Sequence, residues 1–480
     1  MKLIKAISTI SFFIAISRIL GFIRDILIAS FLGVGALSDI FFAAFRLPNF
    51  FRRIFAEGAF NAAFVPAFNK KLDQSTKNKK AINFAQNICS ILIYTILILI
   101  IILQIIMPWF IKGIFPGFAA ESEKINLLIT LSRITIFYLL FITIVSLFSA
   151  ILNSLDKFAS ASSAPIILNA TLIASIFFLS SITPNLAYAL SWGVFIAGIL
   201  QIFWVGIFLY KKGILIYPKI PKFSPEIKKF LKKFFSGIIG ANVMQLNLLI
   251  DSLIASFFAG AISYIYYADR VNQLPLAIIG IAINIALLPK ISKKIKSEPA
   301  KAVSLQNAAI EIGLLLALPA AAALFFLSQI IIEVLFQRGQ FGQDQTLIVA
   351  ECLKLYAIAL PAYILVKILE PSFFARENTK TPMKIAIVCV VINIICNLLL
   401  FKPFGYKGII IASIFSSYLN LSLLLLILIK KKYFYFTQNI WKIMFKISVP
   451  VALMILCLLG LIRFLEHQGM ALVWQLIMLI

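Results

Sequence analysis

Apolar runs of about 20 or more residues, separated by short polar breaks, recur along the whole chain, and that is the length at which a helix crosses the hydrocarbon of a bilayer. Charged residues make up only 13% of the 480 and apolar residues 62%, whereas soluble domains carry roughly 25% charge. The chain therefore reads as an all-α polytopic membrane protein with no room for a sizeable soluble domain. Apolar runs bounded by Lys, Pro, Gly and Asn clusters place helices near residues 6–32, 37–68, 82–111, 126–152, 162–182, 185–210, 228–258, 262–289, 303–336, 346–370, 383–401, 406–429 and 439–463. A last stretch, residues 469–480, is too short to span alone and reads as a truncated fourteenth helix. The amino-terminal run resembles a signal peptide at first, but Arg18, Arg24 and Asp25 interrupt it and no small-residue cleavage site follows, so it reads as a retained first span.

The net charge of +26 would suggest nucleic acid in a soluble protein. Here the lysines and arginines sit in short loops between apolar segments, the pattern of topology signals and of contact with anionic membrane lipid, so nucleic acid is not expected as a partner. Alternate loops are strongly unequal: with the amino terminus inside, 29 of the 44 Lys+Arg fall on inner loops, 6 on outer loops and 9 within helices. The amino terminus is therefore expected to be cytoplasmic. The five cysteines, Cys89, Cys352, Cys389, Cys396 and Cys457, have neither metal-ligand nor disulfide spacing and read as small core residues. The single histidine, His467, is expected in an outer loop.

Weak internal repeats divide the chain. Val65-Pro66-Ala67-Phe68-Asn69-Lys70-Lys71 is echoed by Leu288-Pro289-Lys290-Ile291-Ser292-Lys293-Lys294, Gln86-Asn87 by Gln306-Asn307, and Pro165 by Pro382. Six helices separate the members of each pair, so both copies enter the membrane from the same side, as parallel repeats do. The expected organisation is a six-helix lobe over 1–220, a second over 221–432, a central cleft, and additional carboxy-terminal helices over 433–480.

Charge inside spanning helices is costly, about 2.5 to 3.5 kcal/mol each at mid-membrane depth, and so points to a partner or a watery cavity. On the first helix Arg18, Gly21, Arg24 and Asp25 share one face; on the second, Arg46, Asn49, Arg53, Glu57 and Asn61 do, with Arg52 at the edge. Asp269 and Arg270 stand on the eighth. Mutual pairing that merely pins helices is the plain alternative. Six arginines (Arg18, Arg24, Arg46, Arg52, Arg53, Arg270) nevertheless outnumber the four acids Asp25, Asp39, Glu57 and Asp269. The surplus suits an anionic guest, and the guanidinium fork suits phosphate. Arg133, Lys354 and Lys367 lie near enough to helix ends to snorkel. Pro48 and Pro275 are expected to break the second and eighth helices.

The run Ser17-Arg18-Ile19-Leu20-Gly21-Phe22-Ile23-Arg24-Asp25, then Asp39, then Arg46-Leu47-Pro48-Asn49 with Arg52-Arg53-Ile54-Phe55-Ala56-Glu57-Gly58, resembles the signature of the MurJ (MviN) lipid II flippases. Tyr266-Tyr267-Ala268-Asp269-Arg270, Phe336-Gln337-Arg338-Gly339 and Phe374-Ala375-Arg376 extend the resemblance over nearly the whole chain. It implies membership of the multidrug/oligosaccharidyl-lipid/polysaccharide exporter superfamily, two lobes that alternate access, and two extra helices forming a groove for a polyprenyl tail. It also implies headgroup contacts from Arg18, Arg24, Arg52 and Arg270, to which the polar face of the second helix adds Arg53, with Asp25, Asp39, Asn49, Glu57 and Asp269 as partners or gate elements. A sodium site is implied on Asp251, Asn393, Asn397, Ser413 and the Ile409 carbonyl, against the plain alternative of an interhelical hydrogen-bond cluster. No other cofactor is expected. The expected function is export of a polyprenyl-diphosphate-linked disaccharide-peptide across the bacterial inner membrane, by a monomer. The rivals are a flippase for another lipid-linked glycan, a cation or multidrug antiporter, which would need an acidic cavity, and a phosphotransferase, which would need clustered carboxylates for Mg²⁺ on an inner loop.

Overall fold

The structure, a computed structural model, describes residues 2–55, 59–72, 79–241, 243–295, 297–437 and 440–467. The described residues are helical wherever they are regular, with no strand among them. Nine helical stretches among them are long and apolar enough to cross a membrane. The chain divides into two compact units, Met1–Gln245 and Leu246–Ile480.

In the first unit α1 (Lys2–Leu32) packs on α7 (Phe158–Phe178), and α2 (Ala36–Phe55) packs on α5 (Ser122–Thr135), α6 (Tyr138–Ser154) and α8 (Leu186–Tyr210). The expected helix 37–68 is described as α2 and α3 (Ala59–Asn69) on either side of residues 56–58, so Glu57 and Gly58 lie outside the described residues. Phenylalanines set the join between α3, α4 (Lys79–Ile114) and α9 (Pro225–Ala241). Phe60, Phe64 and Phe68 recur every fourth residue, so their rings stack along one face of α3 at 5.3 and 5.4 Å. Phe230 and Phe234 of α9 meet them edge-on at 5.9 to 6.4 Å, an arrangement favoured by the ring quadrupole. A salt bridge from Lys71 to Glu226 closes the same join.

In the second unit α10 (Val243–Ala255), α11 (Ala261–Pro275), α12 (Ala282–Lys294), α13 (Pro299–Phe326) and α14 (Ser328–Phe336) precede α15 (Gln343–Phe374), α16 (Lys380–Phe404), α17 (Tyr406–Lys430) and α18 (Ile440–His467). Helix α15 is the core: α11, α12, α13, α14 and α17 all pack on it. Pro275 does what its missing N–H requires. The turn that follows, Leu276–Ile281, is a π-helix, re-registering the backbone where an α-helical bond cannot form.

Four helices stop in the same way. After α6, α8, α15 and α17 the chain turns through a left-handed residue, Asp156 (φ 58°), Gly213 (φ 69°), Glu377 (φ 57°) and Lys432 (φ 56°). Each stop has the same pair of bonds: Lys157 N–H to the Leu152 carbonyl with Asp156 N–H to Asn153, Ile214 to Leu209 with Gly213 to Tyr210, Asn378 to Phe373 with Glu377 to Phe374, and Tyr433 to Leu428 with Lys432 to Ile429. The segments beyond the second and fourth stops are held by Gln86 and Asn307, which the sequence echo named, and by Ser90, which it did not. Gln86 Nε2 donates to the Leu215 carbonyl at 3.0 Å and Ser90 Oγ accepts from Lys219 N–H at 2.7 Å. In the second unit Asn307 Nδ2 donates to the Tyr435 carbonyl at 3.0 Å and its Oδ1 accepts from Thr437 N–H at 3.3 Å.

Several expectations need correction. Helices outrun the apolar segments that marked them: α4 begins at Lys79 and α18 ends at His467, so that histidine closes a helix instead of lying in a loop. The expected single helices 126–152 and 303–336 are each two, broken at residues 136–137 and at Leu327. Of the cysteines, Cys89, Cys352 and Cys389 are buried, but Cys396 is half-buried and Cys457 is exposed. Apolar exposure of this kind is general here (Trp109 70%, Phe178 75%, Leu399 69%, Phe445 70%), because acyl chains impose no penalty on it. The short run 469–480 lies outside the described residues.

Candidate functional site

Arg24 and Asp25 are consecutive on α1, 5% and 1% exposed. Arg24 forks onto one oxygen of Asp25, Nε at 3.0 Å and Nη2 at 2.7 Å, and its Nη1 donates to Asn169 Oδ1 at 2.8 Å. Asn169, on α7, is itself fixed, because its Nδ2 donates to the Ser17 carbonyl at 2.8 Å. Close approach of the two helices at this level falls at Gly21, where an added Cβ would lie 3.4 Å from Asn169 Nδ2. The partners of this buried guanidinium thus include a neutral oxygen beside the carboxylate, and a neutral oxygen fixes direction without cancelling charge. Asn169 was not singled out by sequence. A neutral residue in an apolar helix carries no mark of its own, and its role depends on a partner 145 positions away.

The α2 segment is built around Pro48. Proline has no N–H for the Ala44 carbonyl, and that carbonyl takes the Thr135 hydroxyl of α5 instead, at 3.0 Å. Asn49 Nδ2 donates to the Phe45 carbonyl at 2.9 Å, and the same amide's Oδ1 accepts from Arg52 Nε at 3.2 Å. Asn49 therefore joins the turn around Pro48 to the orientation of Arg52. Arg52 is half-buried, Arg53 and Arg18 are exposed, and Arg46 is half-buried. Asp39 is fully buried in the first turn of α2, where the helix dipole favours a carboxylate. Ser38 Oγ accepts from Gly35 N–H at 2.9 Å and caps the same turn.

In the second unit Arg270 lies under Tyr266, its Nη2 donating to the hydroxyl at 2.9 Å while the guanidinium carbon stands 4.9 Å from the ring centroid. Asp269 accepts a hydrogen bond from Gln273 Nε2. Asn393 and Asn397 are fully buried on one face of α16. Asn397 Nδ2 donates to Asp251 Oδ1 at 3.0 Å and to Asn393 Oδ1 at 2.8 Å, and Asn393 Nδ2 reaches Ser413 Oγ at 3.5 Å. The four side chains form a hydrogen-bonded chain across three helices. Ile409 is buried four residues before Ser413 on α17, and Asn397 Oδ1 is a buried oxygen of the cluster with no hydrogen bond among the described residues. That oxygen suits a monovalent cation, but amide N–H groups are turned toward the other ligands a cation would need. Arg338 caps the end of α14 through the Leu335 carbonyl at 3.0 Å. Lys367 pairs with Glu370 at 3.0 Å, and Arg133 exchanges backbone-directed bonds with Gln104.

The arrangement offers guanidinium groups held in direction by neutral amides and a phenol, inside an otherwise apolar protein. The family model described as "Lipid II flippase MurJ" matches residues 28–479. A protein of Rhizobium tropici named "Probable lipid II flippase MurJ" is 40% identical over 88% of this chain and 80% of its own. A protein of the same name from Rickettsia prowazekii is 41% identical over 88% and 83%. The solved structure titled "Lipid II flippase MurJ, inward closed conformation" superposes with a TM-score of 0.82 at 29% identity, covering 98% of this chain and 95% of the other. An inward-facing multidrug resistance MATE transporter of the MOP superfamily shares the fold, with a TM-score of 0.66 at 15% identity over 85% and 92%. By sequence over nearly its whole length, this chain belongs to the MurJ family of lipid II flippases.

Proposed function

We propose that the chain is a transporter, not an enzyme, that moves the polyprenyl-diphosphate-linked disaccharide-peptide precursor of peptidoglycan from the inner to the outer leaflet of the bacterial inner membrane. The observation that carries the reading is Arg24: a buried guanidinium with a neutral amide among its partners, in a chain matched to this family over residues 28–479. In the proposal, the contacts to the diphosphate are drawn from Arg18, Arg24, Arg52, Arg53 and Arg270, while the tail stays in lipid. Asp25, Asp39, Asn49, Glu57 and Asp269 orient those arginines and balance them when no anion is bound. Thirteen or fourteen spans, a cytoplasmic amino terminus, lobes over 1–220 and 221–432 with extra helices after 433, alternating access and a monomeric state belong to the same reading. The inside bias of Lys and Arg supports the orientation.

The chemistry of the step is electrostatic. Moving two net negative charges out of a cell that is negative inside is downhill by about 4.6 kcal/mol per 100 mV, at about 2.3 kcal/mol per charge. The potential is sufficient drive provided the arginines stay behind. Sodium at Asp251, Asn393, Asn397, Ser413 and the Ile409 carbonyl is the alternative source. A cation antiporter would need the opposite charge balance. A flippase for a different lipid-linked glycan shares every phosphate contact, and competition between precursors for binding separates the two.

The test is appearance of labelled precursor on the far leaflet of proteoliposomes. Transfer should require the protein, and Arg24→Ala, Arg52→Ala and Arg270→Ala should each abolish it in protein that still folds, whereas Arg338→Ala, which removes only a helix cap, should be milder. Equal tolerance of all four substitutions overturns the reading.

A further inference from the structure

The first unit carries a second feature, lined by none of the arginines proposed for the headgroup. Where α1 begins and α6, α7 and α8 meet, a groove of about 1000 Å³ opens. Its α1 residues, Thr9 and Phe13, precede Arg24 by roughly 22 and 16 Å at about 1.5 Å per residue. Phe13, Phe158, Trp204 and Phe208 supply apolar walls, and Lys157, Lys211 and Lys212 line the same groove. Trp204 is held in orientation, its Nε1 donating to Ser163 Oγ at 2.9 Å. Lys211 stands 5.7 Å from the centre of the Phe208 ring, so apolar wall and cation are adjacent. All three lysines are exposed, and none of them takes part in an ion pair among the described residues. Asp156 is the only acid among the described residues that line the groove, which leaves two net positive charges.

The position of the lysines follows from the helix stops. Asp156 and Gly213 take left-handed conformations at the ends of α6 and α8, and those stops bring Lys157 and Lys211-Lys212 to one rim. The backbone of the first turn of α7, which forms part of the lining, has no side-chain cap among the described residues, so its N–H groups add to a surface already cationic.

We infer that this groove is a binding site for an anionic glycerophospholipid, its phosphate held by Lys157, Lys211 and Lys212 and one acyl chain laid along Phe13, Phe158, Trp204 and Phe208. Aromatic walls joined to a cationic rim at the ends of spanning helices match a lipid, which has both a phosphate and a chain; free phosphate matches only the rim. Each net positive charge near a membrane surface favours an anionic over a zwitterionic lipid by about fivefold, so two favour it by about 25-fold.

Trp204 reports on the site directly. In a variant whose other four tryptophans are replaced (Trp109→Phe, Trp192→Phe, Trp441→Phe, Trp474→Phe), its fluorescence is titrated with phosphatidylglycerol or phosphatidylcholine carrying brominated acyl chains. Brominated phosphatidylglycerol should half-quench at about 25-fold lower mole fraction, and Lys157→Ala/Lys211→Ala/Lys212→Ala should remove the difference. Lys211→Gln and Lys212→Gln, tested singly so that the conclusion does not hang on the triple variant, should each reduce the preference about fivefold. Equal midpoints for the two lipids, or a preference that survives these substitutions, overturn the assignment. Complete relief of quenching by inorganic phosphate at constant ionic strength overturns it too, by assigning the rim to free phosphate.

Discussion

Asn169 offers the sharpest test of how the first unit holds Arg24. Asn169→Ala deletes two bonds at once, the buried 2.8 Å acceptor for Arg24 Nη1 and the partly buried 2.8 Å donor to the Ser17 carbonyl. A hydrogen bond to a charged group contributes about 1.5 to 3 kcal/mol, and a neutral interhelical bond in a membrane protein averages only about 0.6 kcal/mol. The sum is a loss of roughly 2 to 3.5 kcal/mol, most of it from Arg24. Asn169→Asp separates orientation from charge. The new carboxylate still accepts from Arg24 and keeps the side-chain volume, so the fold should lose only the Ser17 bond, but Arg24 then lies between two acids and its attraction for phosphate falls. Unfolding in mixed micelles gives the stabilities, and precursor transfer in proteoliposomes gives the function. The expected result is an alanine variant that is unstable and an aspartate variant that is stable and inactive. Wild-type stability in Asn169→Ala refutes the energetic argument. Wild-type transport in Asn169→Asp refutes the view that charge left on Arg24 is what binds the diphosphate.

Glycine positions give a matched pair: a Cβ on Gly408 would lie 2.5 Å from the Leu400 carbonyl oxygen, whereas on Gly206 its nearest neighbour is a Phe148 ring carbon at 3.8 Å. Gly408→Ala should therefore cost about 1 to 3 kcal/mol and Gly206→Ala close to nothing, read by the same unfolding assay; equal effects refute the packing argument. Lys432→Gly should stabilise by about 1 kcal/mol, because Lys432 occupies the left-handed position at φ 56° that Gly213 fills in the first unit; a loss of stability would show that its side chain matters more than its backbone. Asn397→Asp places a second carboxylate 3.0 Å from Asp251 Oδ1 in place of an N–H donor. The variant's melting temperature should rise in sodium relative to choline, while the wild type's should not, and sodium-dependent stability or transport in the wild type that Asp251→Ala abolishes would move the energy source from the potential to sodium.

What could be read from the sequence, and what could not, divides along one physical line. Spanning helices announce themselves because hydrocarbon demands a long unbroken apolar run, and α4, α8, α16 and α17 fall within a few residues of their expected bounds. Their ends were less legible because lysines at α4 and α16 let the helix run on while the ammonium reaches out of the apolar layer. Pro275 was legible as a break and Pro48 as a missing N–H, since both are properties of the residue itself, although α2 runs unbroken through Pro48 from Ala36 to Phe55. The remedy at Pro48 was not, because Thr135 lies 91 positions away and meets the Ala44 carbonyl only once α2 packs on α5. The same holds for the arginines. That Arg24 and Arg52 needed partners followed from the cost of charge in a membrane, but that both use a neutral amide, Asn169 and Asn49, follows only from the fold. For the proposed function the choice matters: Arg24 already pairs with Asp25, and a further acid would add negative charge against an anionic guest, while an amide fixes the guanidinium's direction without adding any.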